Sequence, residues 1–397
     1  MKRFLIIALT VVTLGATAVA QKTIPHAVKT CNEVAARRTE IILPKVKGFN
    51  CYKGDFHIHT SYSDGSVTPA GRVVEAWMDG LDVIAITDHY ESRSGERKFL
   101  KVIAPYSNDG EPIKYQPASK ANCIMADFNA IHQEAVDQLK KSGYPMLLIK
   151  GCEMARNAET HGHFNALFLE DLNDLYDEDL TVAFRNVKAR GGIIVHNHPA
   201  WRRKTSDKTE FHEQVYGEGL IDGVEVANGS TFYPHIVRRC IDEKLTMFGN
   251  TDEHTTTAHR FAPMGVYRTM TLIFAKELTE KAIKDAILKH RTIAYSGGSL
   301  IGEDSWLLEL LNAAVDCRIT KVDEKKGERT FLLINNSSIT LRLRRGKTIY
   351  VLEPFKPVLA TFGTDKQSGK LLNPTFVVDN MWGVDYKHPK AELEIDK

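Results

Sequence analysis

Short apolar runs that are typical of β-strands alternate with helical patterns from about residue 50 to residue 300. Such alternation predicts an α/β fold, built either as a parallel sheet or as a barrel. The predicted strands are 52–59, 83–87, 146–153, 163–169, 192–198, 223–227, 246–250 and 270–274.

Local signals place two of the helices between these strands. Thr68 can accept a cap hydrogen bond, Pro69 suits the first helical position, and Gly80 suits the end of the same helix. A second helix is predicted over 279–290, where Ala and Ile recur at helical spacing. Each helix follows a predicted strand, as an α/β fold requires.

The pattern changes near Trp306. The runs 330–334, 339–343, 348–352 and 374–378 are predicted strands with no helix between them. We therefore predict a small C-terminal all-β, β-sandwich-like domain. The predicted division of the chain is a signal peptide at 1–20, an N-terminal extension at 21–50, a barrel at 51–304 and the β domain at 305–397.

The first twenty residues have the layout of a cleaved secretory signal. Lys2 and Arg3 precede a largely apolar run, and the small-residue sequence AVA at 18–20 precedes Gln21. The alternative is a single membrane anchor, but the apolar run is short against the roughly 20 residues of a span. We expect a periplasmic or secreted protein with no stable membrane anchor after cleavage.

The charge balance argues against polymeric nucleic acid as a partner. The chain has 52 Lys and Arg against 50 Asp and Glu, and loss of Lys2 and Arg3 with the signal makes these numbers equal. Binding to nucleic acid draws mainly on a basic field that neutralises phosphates. A nearly neutral chain has no such global field, although a local basic patch stays possible.

The segment DFHIHTSYSDG, residues 55–65, is the clearest sign of metal chemistry. Side chains alternate faces along a strand, so His57 and His59 point the same way and can bind one cation together. Asp64 returns from the following turn as an oxygen ligand. The alternative is a pair of ordinary strand histidines.

Other predicted strands end in the same residue types. In a barrel of parallel strands the carboxyl ends open onto one face, so residues far apart in sequence are expected to converge there. The further candidates, at strand ends or at one strand start, are His89, Glu153, His163, His198, Asp252 and His254.

Imidazoles mixed with carboxylates suit zinc, manganese or iron better than calcium. One cation rarely needs more than about six donors, so nine candidates predict two or three divalent metal ions. Glu153 and Asp252 are the predicted bridging ligands.

The motifs HxHTxxSDG, TDH, GxE, a lone histidine before an apolar strand, HP and DxH occur in this order across roughly residues 50–300. This set resembles the PHP superfamily, the polymerase and histidinol phosphatase group. The resemblance implies a distorted (β/α)7 TIM-like barrel and hydrolysis of phosphate esters at a trinuclear metal site. The implied metal ligands are His57, His59, Asp64, His89, Glu153, His163, His198, Asp252 and His254.

A narrower resemblance rests on the phrases RVVEAWMDGLDVIAITDH, GHFNALFL, NHPAW, GVEVANG and LTMFGNTDEH. They are similar to a branch of secreted bacterial PHP proteins of the Sphingobium phosphodiesterase type. This resemblance implies a phosphoric ester hydrolase whose substrate is a small phosphodiester. His161 and His196 are extra histidines that depart from the pattern; we rank His163 above His161 and His198 above His196.

The expected mechanism is attack on phosphorus by a metal-activated hydroxide. Arg93, Arg156 and Arg260 follow motif positions, where each is a candidate to stabilise phosphoryl charge, with solvated surface as the alternative. His196 is a further candidate for substrate contact, metal binding or polar lining.

Three further features are candidates for the surroundings of the site. His235 and His259 are candidate acids for the leaving alkoxide, or unpatterned surface histidines. Trp201 could pack against the organic part of a substrate or have a structural role. The polar insertion 91–117 is a candidate wall of the site.

Other functions stay open at this stage. A phosphomonoesterase of the same fold would use the same nucleophile, with the choice made by rim loops. Amidohydrolases also place HxH on a barrel strand, although the GxE and DxH motifs fit the PHP pattern better. A noncatalytic metal-binding protein is the third alternative.

Overall fold

The computed structural model describes residues 37–91, 116–118, 123–125, 127–365, 367–368 and 370–393. The predicted signal at 1–20, Arg93 and most of the insertion 91–117 lie outside these ranges, so they stay predictions. None of the helices in the described ranges has the length and apolar character needed to cross a membrane.

Within the described ranges the chain forms alternating helices and strands followed by a strand-rich C-terminal region. The α-helices are α1 Pro69–Met78, α2 Phe128–Ser142, α3 Leu180–Ala189, α4 Glu210–Gly217, α5 Pro234–Asp242, α6 Thr257–Arg260, α7 Glu280–Leu288 and α8 Asp304–Ala314. The strands up to α8 are β1 Asn50–Asp55, β2 Val83–Ile86, β3 Gln116–Ala118, β4 Cys123–Met125, β5 Leu147–Ala155, β6 His163–Leu167, β7 Ile193–His196, β8 Gly223–Asn228, β9 Thr231–Phe232, β10 Thr246–Asn250, β11 Met270–Ala275, β12 Thr292–Ser296 and β13 Ser299–Ile301.

The strands after α8 are β14 Val315–Asp323, β15 Glu328–Asn335, β16 Leu341–Arg345, β17 Thr348–Leu352, β18 Pro357–Gly363, β19 Thr375–Val378, β20 Met381–Trp382 and β21 Lys390–Glu392. All the strands that the sequence predicted are present, with ends that differ by a few residues.

The largest sheet is curled and has the order β10-β8-β7-β6-β5-β2-β1-β11-β12-β13-β20. The predicted α/β fold with a distorted, TIM-like barrel is confirmed. A purely parallel sheet was a wrong expectation, because β6 runs antiparallel to both β5 and β7, and β11 runs antiparallel to β1. The amino end of β6 therefore lies at the same edge as the carboxyl ends of its neighbours, and His163 stands at that end.

The predicted helix signals act as expected in α1 and α7. The Thr68 side chain accepts a hydrogen bond from the Gly71 backbone N–H, and Pro69 opens α1. Gly80 follows α1 with φ +90°, a conformation that favours glycine. In α7 the Thr279 side chain accepts from the Ala282 N–H. These caps satisfy N–H groups that have no partner inside the helix.

The C-terminal region contains two small sheets, ordered β14-β15-β18 and β17-β16-β19-β21. Their facing sides bury aromatic rings, among them Phe331, Phe362 and Phe376. β20 leaves this region and pairs with β13, which extends the large sheet. The predicted small all-β domain is present in this form; its boundary at residue 304 stays a prediction, and α8 begins at Asp304.

Candidate metal centre

The first two candidate histidines lie just beyond the end of β1. The His59 N–H donates to the Glu253 carbonyl at 3.1 Å, and the Asp252 N–H donates to the His57 carbonyl at 2.9 Å. The chain after β1 therefore runs beside the chain after β10. The Nε2 atoms of His57 and His59 are 3.1 Å apart, so both side chains point to one side, as strand alternation predicts.

The turn after His59 brings Asp64 back to the same place. The buried Asp88 carboxylate accepts hydrogen bonds from the backbone N–H and from the hydroxyl of Thr60, each at 2.6 Å. A Cβ atom on Gly65 would lie 2.7 Å from the His59 carbonyl, so the close turn needs a glycine. Asp64 Oδ1 then lies 3.4 Å from His59 Nδ1.

All the predicted ligands converge at this edge of the sheet. They form four overlapping groups in which the ligand atoms lie within 4.8 Å of one another. The groups are His59, Asp64, His89 and His254; His57, His198 and Asp252; His57, His59 and Glu153; and Glu153, His163 and His198. We name these residues together the metal cluster.

Two carboxylates are shared between histidines of the cluster. The Glu153 carboxylate lies 2.7 Å from His89 Nδ1 and 3.2 Å from His57 Nε2. Asp252 Oδ1 lies 3.2 Å from His57 Nε2 and 3.1 Å from His59 Nε2. Both carboxylates thus lie between histidines of the cluster, and their bridging role stays a prediction.

The spacing of the donors fits divalent cations. Ligand atoms held about 2.0–2.2 Å from one cation lie about 3.0–3.5 Å from each other. Asp64 is 3.1 Å from His254 Nε2 and 3.2 Å from His89 Nε2, within that spacing. Glu153 Oε2 and His89 Nδ1 are buried and, among the residues that the structure describes, have no hydrogen bond of good geometry despite their close approach. The donor set and these unsatisfied atoms are compatible with divalent metal ions.

Two residues of the cluster have a strained backbone conformation. His198 has φ +25° and Asp252 has φ +53°, both in the left-handed region that non-glycine residues avoid. Each such residue costs on the order of 1–3 kcal/mol and persists where surrounding contacts fix it. The chain accepts this cost at two positions whose side chains face the shared centre.

The cluster keeps its carboxylates ionised. Burial acts to raise the pKa of Glu153, but the charges of His89 and His57 hold it well below the ordinary value. Burial likewise opposes ionisation of Asp64, but hydrogen bonds from His254 and His89 hold its pKa far below the usual range. Anionic oxygens of this kind are suitable hard donors for a cation.

The histidines of the cluster differ in proton affinity. Burial, together with the charge of His254, lowers the pKa of His59 to about 3. Burial also acts to lower the pKa of His89, but Glu153 and a hydrogen bond with Asp64 raise it to about 10. Cations need neutral imidazole nitrogens, so they compete with protons for part of this cluster.

One side of the cluster faces solvent. His57 and His59 have fully buried side chains, whereas the side chains of Asp64 and His254 are 30% and 36% exposed. Asp252, at 20%, lies between these extremes. A substrate can therefore reach the cluster from the side of Asp64 and His254.

Glu225 is a functional residue that the sequence reasoning missed. It is fully buried in β8 and accepts from His57 Nδ1 at 2.8 Å and from the His198 N–H at 2.7 Å. The amides of Asn228 and Asn250 also donate to it, at 2.8 and 3.0 Å. Such a carboxylate behind a ligand fixes the tautomer and direction of the imidazole. A charged residue inside the apolar run GVEVA was the available signal.

The predicted catalytic arginines have partners of their own. Arg156 forms an ion pair with Glu91 and donates to the Asp177 carbonyl at 2.8 Å. Arg260 donates to the Thr251 carbonyl at 3.1 Å. The structure thus engages both side chains in contacts outside the metal cluster, and their roles stay predictions.

His196 lies on the other side of β7 from the cluster. Its ring stacks on Phe164 at 4.6 Å, and its Nδ1 is 2.8 Å from the Tyr216 hydroxyl. His212 packs beside it, with ring centroids 4.6 Å apart. His161 is half-buried against Phe211 and likewise stands outside the four groups.

Trp201 lies beside the metal cluster. Its ring centroid is 4.9 Å from that of His163 and 5.3 Å from that of His198. The Arg202 guanidinium lies 4.4 Å from the Trp201 ring centre. His235 and His259 are exposed and stand outside the four groups.

Comparison with solved structures finds a similar protein over almost the whole chain. It is a two-domain protein from Bacteroides vulgatus that contains a predicted PHP-like metal-dependent phosphoesterase. The match has 30% identity and a TM-score of 0.78, and it covers 91% of this chain and 99% of the other. Neither a family model nor a curated protein matches the sequence.

Two more distant solved structures are similar to parts of the chain. A protein from Bifidobacterium adolescentis, described as a metal-dependent phosphoesterase, has 14% identity and a TM-score of 0.36, covering 59% of this chain and 96% of the other. The lesion-specific endonuclease EndoQ from Pyrococcus furiosus has 16% identity and a TM-score of 0.38, covering 68% and 62%.

Proposed function

Because the chain belongs to the PHP-like metal-dependent phosphoesterases, we propose that it hydrolyses small phosphodiesters in preference to phosphomonoesters. The observation that carries the proposal is the convergence of histidines and carboxylates from distant strand ends into four overlapping groups. Their number and overlap support two or three bound cations, and the mixture of donors suits zinc, manganese or iron.

Bound divalent cations would lower the pKa of water and neutralise charge on the phosphoryl oxygens. The nine cluster residues would hold them, and Glu153 belongs to two of the four groups. Glu225 fixes the direction of His57 and the backbone at His198 through its hydrogen bonds. The exposed side of Asp64 and His254 leaves room for the phosphate, and Trp201 covers part of the cluster beside His163.

The preference for diesters and the export of the protein are parts of this proposal. The narrower resemblance to secreted PHP phosphodiesterases supports both, and the AVA sequence at 18–20 supports cleavage before Gln21. Expression of the full chain, followed by N-terminal sequencing of the periplasmic protein, tests the export. A mature chain that begins at Met1 and stays with the cytoplasm would exclude it.

The activity is tested with metal-loaded protein on bis-p-nitrophenyl phosphate and p-nitrophenyl phosphate, after the bound metals have been measured. We expect turnover of both with a clear bis-ester preference. His163→Ala should lose bound metal and activity, whereas His161→Ala, a nearby histidine outside the four groups, should keep both. Stoichiometric metal with no turnover of any phosphoester would contradict the proposal, and turnover of amides or lactones alone would favour an amidohydrolase.

A further inference from the structure

A groove lies between the loop after His198 and the β8–α5 connection, outside the metal cluster. Resting on the proposed function, we infer that this groove, which we name the aromatic groove, holds the planar aromatic group that stays on phosphorus when the ester is cleaved. The groove has a volume of about 460 Å³, far more than a phosphate needs. Pockets for organic ligands typically measure about 300–1,000 Å³.

The aromatic groove lies next to the metal cluster. One wall begins at Ala200, two residues after the cluster residue His198. The other wall follows from β8, which carries Glu225; β9 folds back on the carboxyl end of β8, with Phe232 opposite Ala227. The groove and the cluster therefore occupy the same edge of the sheet.

Tyr233 links the groove to the cluster electrostatically. Its backbone N–H donates to the Val226 carbonyl at 2.8 Å, which fixes it beside β8. Burial raises the pKa of the Tyr233 phenol, and the negative charges of Glu225 and Asp252 raise it further. The Tyr233 phenol therefore lies within electrostatic range of two carboxylates of the site, and it stays protonated at neutral pH.

The apolar part of the groove is made of flat surfaces. Phe232, Tyr233 and Pro234 are consecutive, half-buried residues of its lining. Phe232 is backed by the C-terminal region, with ring centroids 6.3 Å from Trp382 and 5.9 Å from Tyr386. Because Phe232 packs against these two rings, this side of the groove is already formed before a ligand binds. Aromatic side chains bind planar rings in preference to alkyl chains.

The rim of the groove carries polar and charged groups. Lys204 and His235 are exposed residues of the lining, and Thr205 and Asp207 offer hydrogen-bonding groups between them. The Lys204 ammonium and the Asp207 carboxylate balance in charge, so the rim is polar and does not exclude an ester that carries one negative charge at phosphorus. The lining thus fits an aryl or nucleoside-like alcohol joined to a phosphate at the metals.

The test compares bis-p-nitrophenyl phosphate with methyl p-nitrophenyl phosphate, which releases the same chromophore but presents a methyl group in place of the second ring. Phe232→Leu and Tyr233→Leu keep apolar bulk and remove the flat ring. We expect each to lower the ratio of kcat/KM between the two esters by about tenfold relative to wild type. Intrinsic reactivity cancels, because each variant is compared with wild type on the same pair.

Phe355→Leu is the matched control, because Phe355 is 51% exposed and lies outside the groove. It should leave the ratio at the wild-type value. A ratio unchanged in both Phe232→Leu and Tyr233→Leu overturns the inference while the proposed activity stands. Failure of metal-loaded wild-type protein to hydrolyse either ester instead removes the proposed function, and the inference with it.

Discussion

Strand β7 separates two groups of histidines that have opposite surroundings. On one side His198 lies 3.5 Å from Glu153 and faces Asp252 at 3.8 Å. On the other side His196 stacks on Phe164 and meets the Tyr216 hydroxyl. We name His196, His212 and Tyr216 the aromatic-side cluster.

The difference between the two clusters lies in the carboxylates. Burial and the charge of His212 hold the pKa of His196 well below its ordinary value, so that histidine stays neutral in the fold. In the metal cluster, carboxylates raise the pKa of His89 and prepare the site for positive charge. A concentration of histidines is therefore a weak sign of metal binding until carboxylates accompany it.

Removal of metal gives the largest expected contrast between the clusters. Chelation should abolish hydrolysis, and added manganese or zinc should restore it. Ligand binding stabilises the folded state by about 2.7 kcal/mol when free ligand is about 100-fold above Kd, so the midpoint of thermal unfolding should fall on chelation. Activity that survives complete removal of metal, verified by elemental analysis, would refute a metal role for the cluster.

Glu153→Gln should have the next largest effect. The change keeps the shape of the side chain but removes a buried charge beside His57, His89 and His163. We expect metal affinity and kcat each to fall by more than roughly 10- to 100-fold. That range is typical when a residue that hydrogen-bonds to a metal ligand is removed. Glu159→Gln, an exposed residue just past β5, is the control and should behave as wild type.

Glu225→Gln should weaken metal binding about 10- to 100-fold, because Glu225 holds His57 and the backbone of His198 without joining any of the four groups. Competition with a metal-chelating dye measures the Kd. Thermal unfolding of the metal-free form separates this effect from a general loss of stability. An unchanged Kd with a lower Tm would give Glu225 a purely structural role.

On the aromatic side the expected effect is on stability alone, with no change in bound metal or activity, and it appears at low pH. Burial is the main cause that lowers the pKa of His212 to about 4, against 6.5 in the unfolded chain. Between these values the unfolded state binds the extra proton, so the contribution of His212 is present above pH 6.5 and is lost as pH falls towards 4. It amounts to at most about 3 kcal/mol.

Urea unfolding of wild type and His212→Gln at pH 5 and pH 7.5 checks this sign. The variant should lose stability at pH 7.5, because it loses two hydrogen bonds of the His212 ring. The ring accepts from the Thr209 backbone N–H in the cap of α4 and donates to the His161 carbonyl. Its stability should depend less on pH than that of wild type. An equal dependence on pH would show that His212 is not the group that titrates.

Periodicity and capping signals predicted much of the fold, because they act over a few neighbouring residues. The Thr68 cap and the apolar runs of β2 and β10 are examples. The direction of β6 was not predictable in this way. Whether a strand runs parallel or antiparallel depends on its neighbours in the sheet, and the short connection after β5 does not reveal them.

The same distinction applies to the site. His57 and His59 could be paired from alternation alone, whereas the partners of Arg156 and Arg260 depend on how loops pack. Glu225 looked like one charged residue in an apolar strand, and only the contact with His57 reveals its role. Contacts between residues far apart in sequence carry no local signal that a single chain shows.

The sequence by itself identified the histidines and carboxylates that converge and the edge of the sheet at which they lie, because side-chain chemistry and strand periodicity are local properties. The tertiary structure decided which histidines face carboxylates, which side of the cluster is open to solvent, and which rings line the aromatic groove. Those outcomes follow from the packing of strands, loops and the C-terminal region against one another, and packing is set by the whole chain.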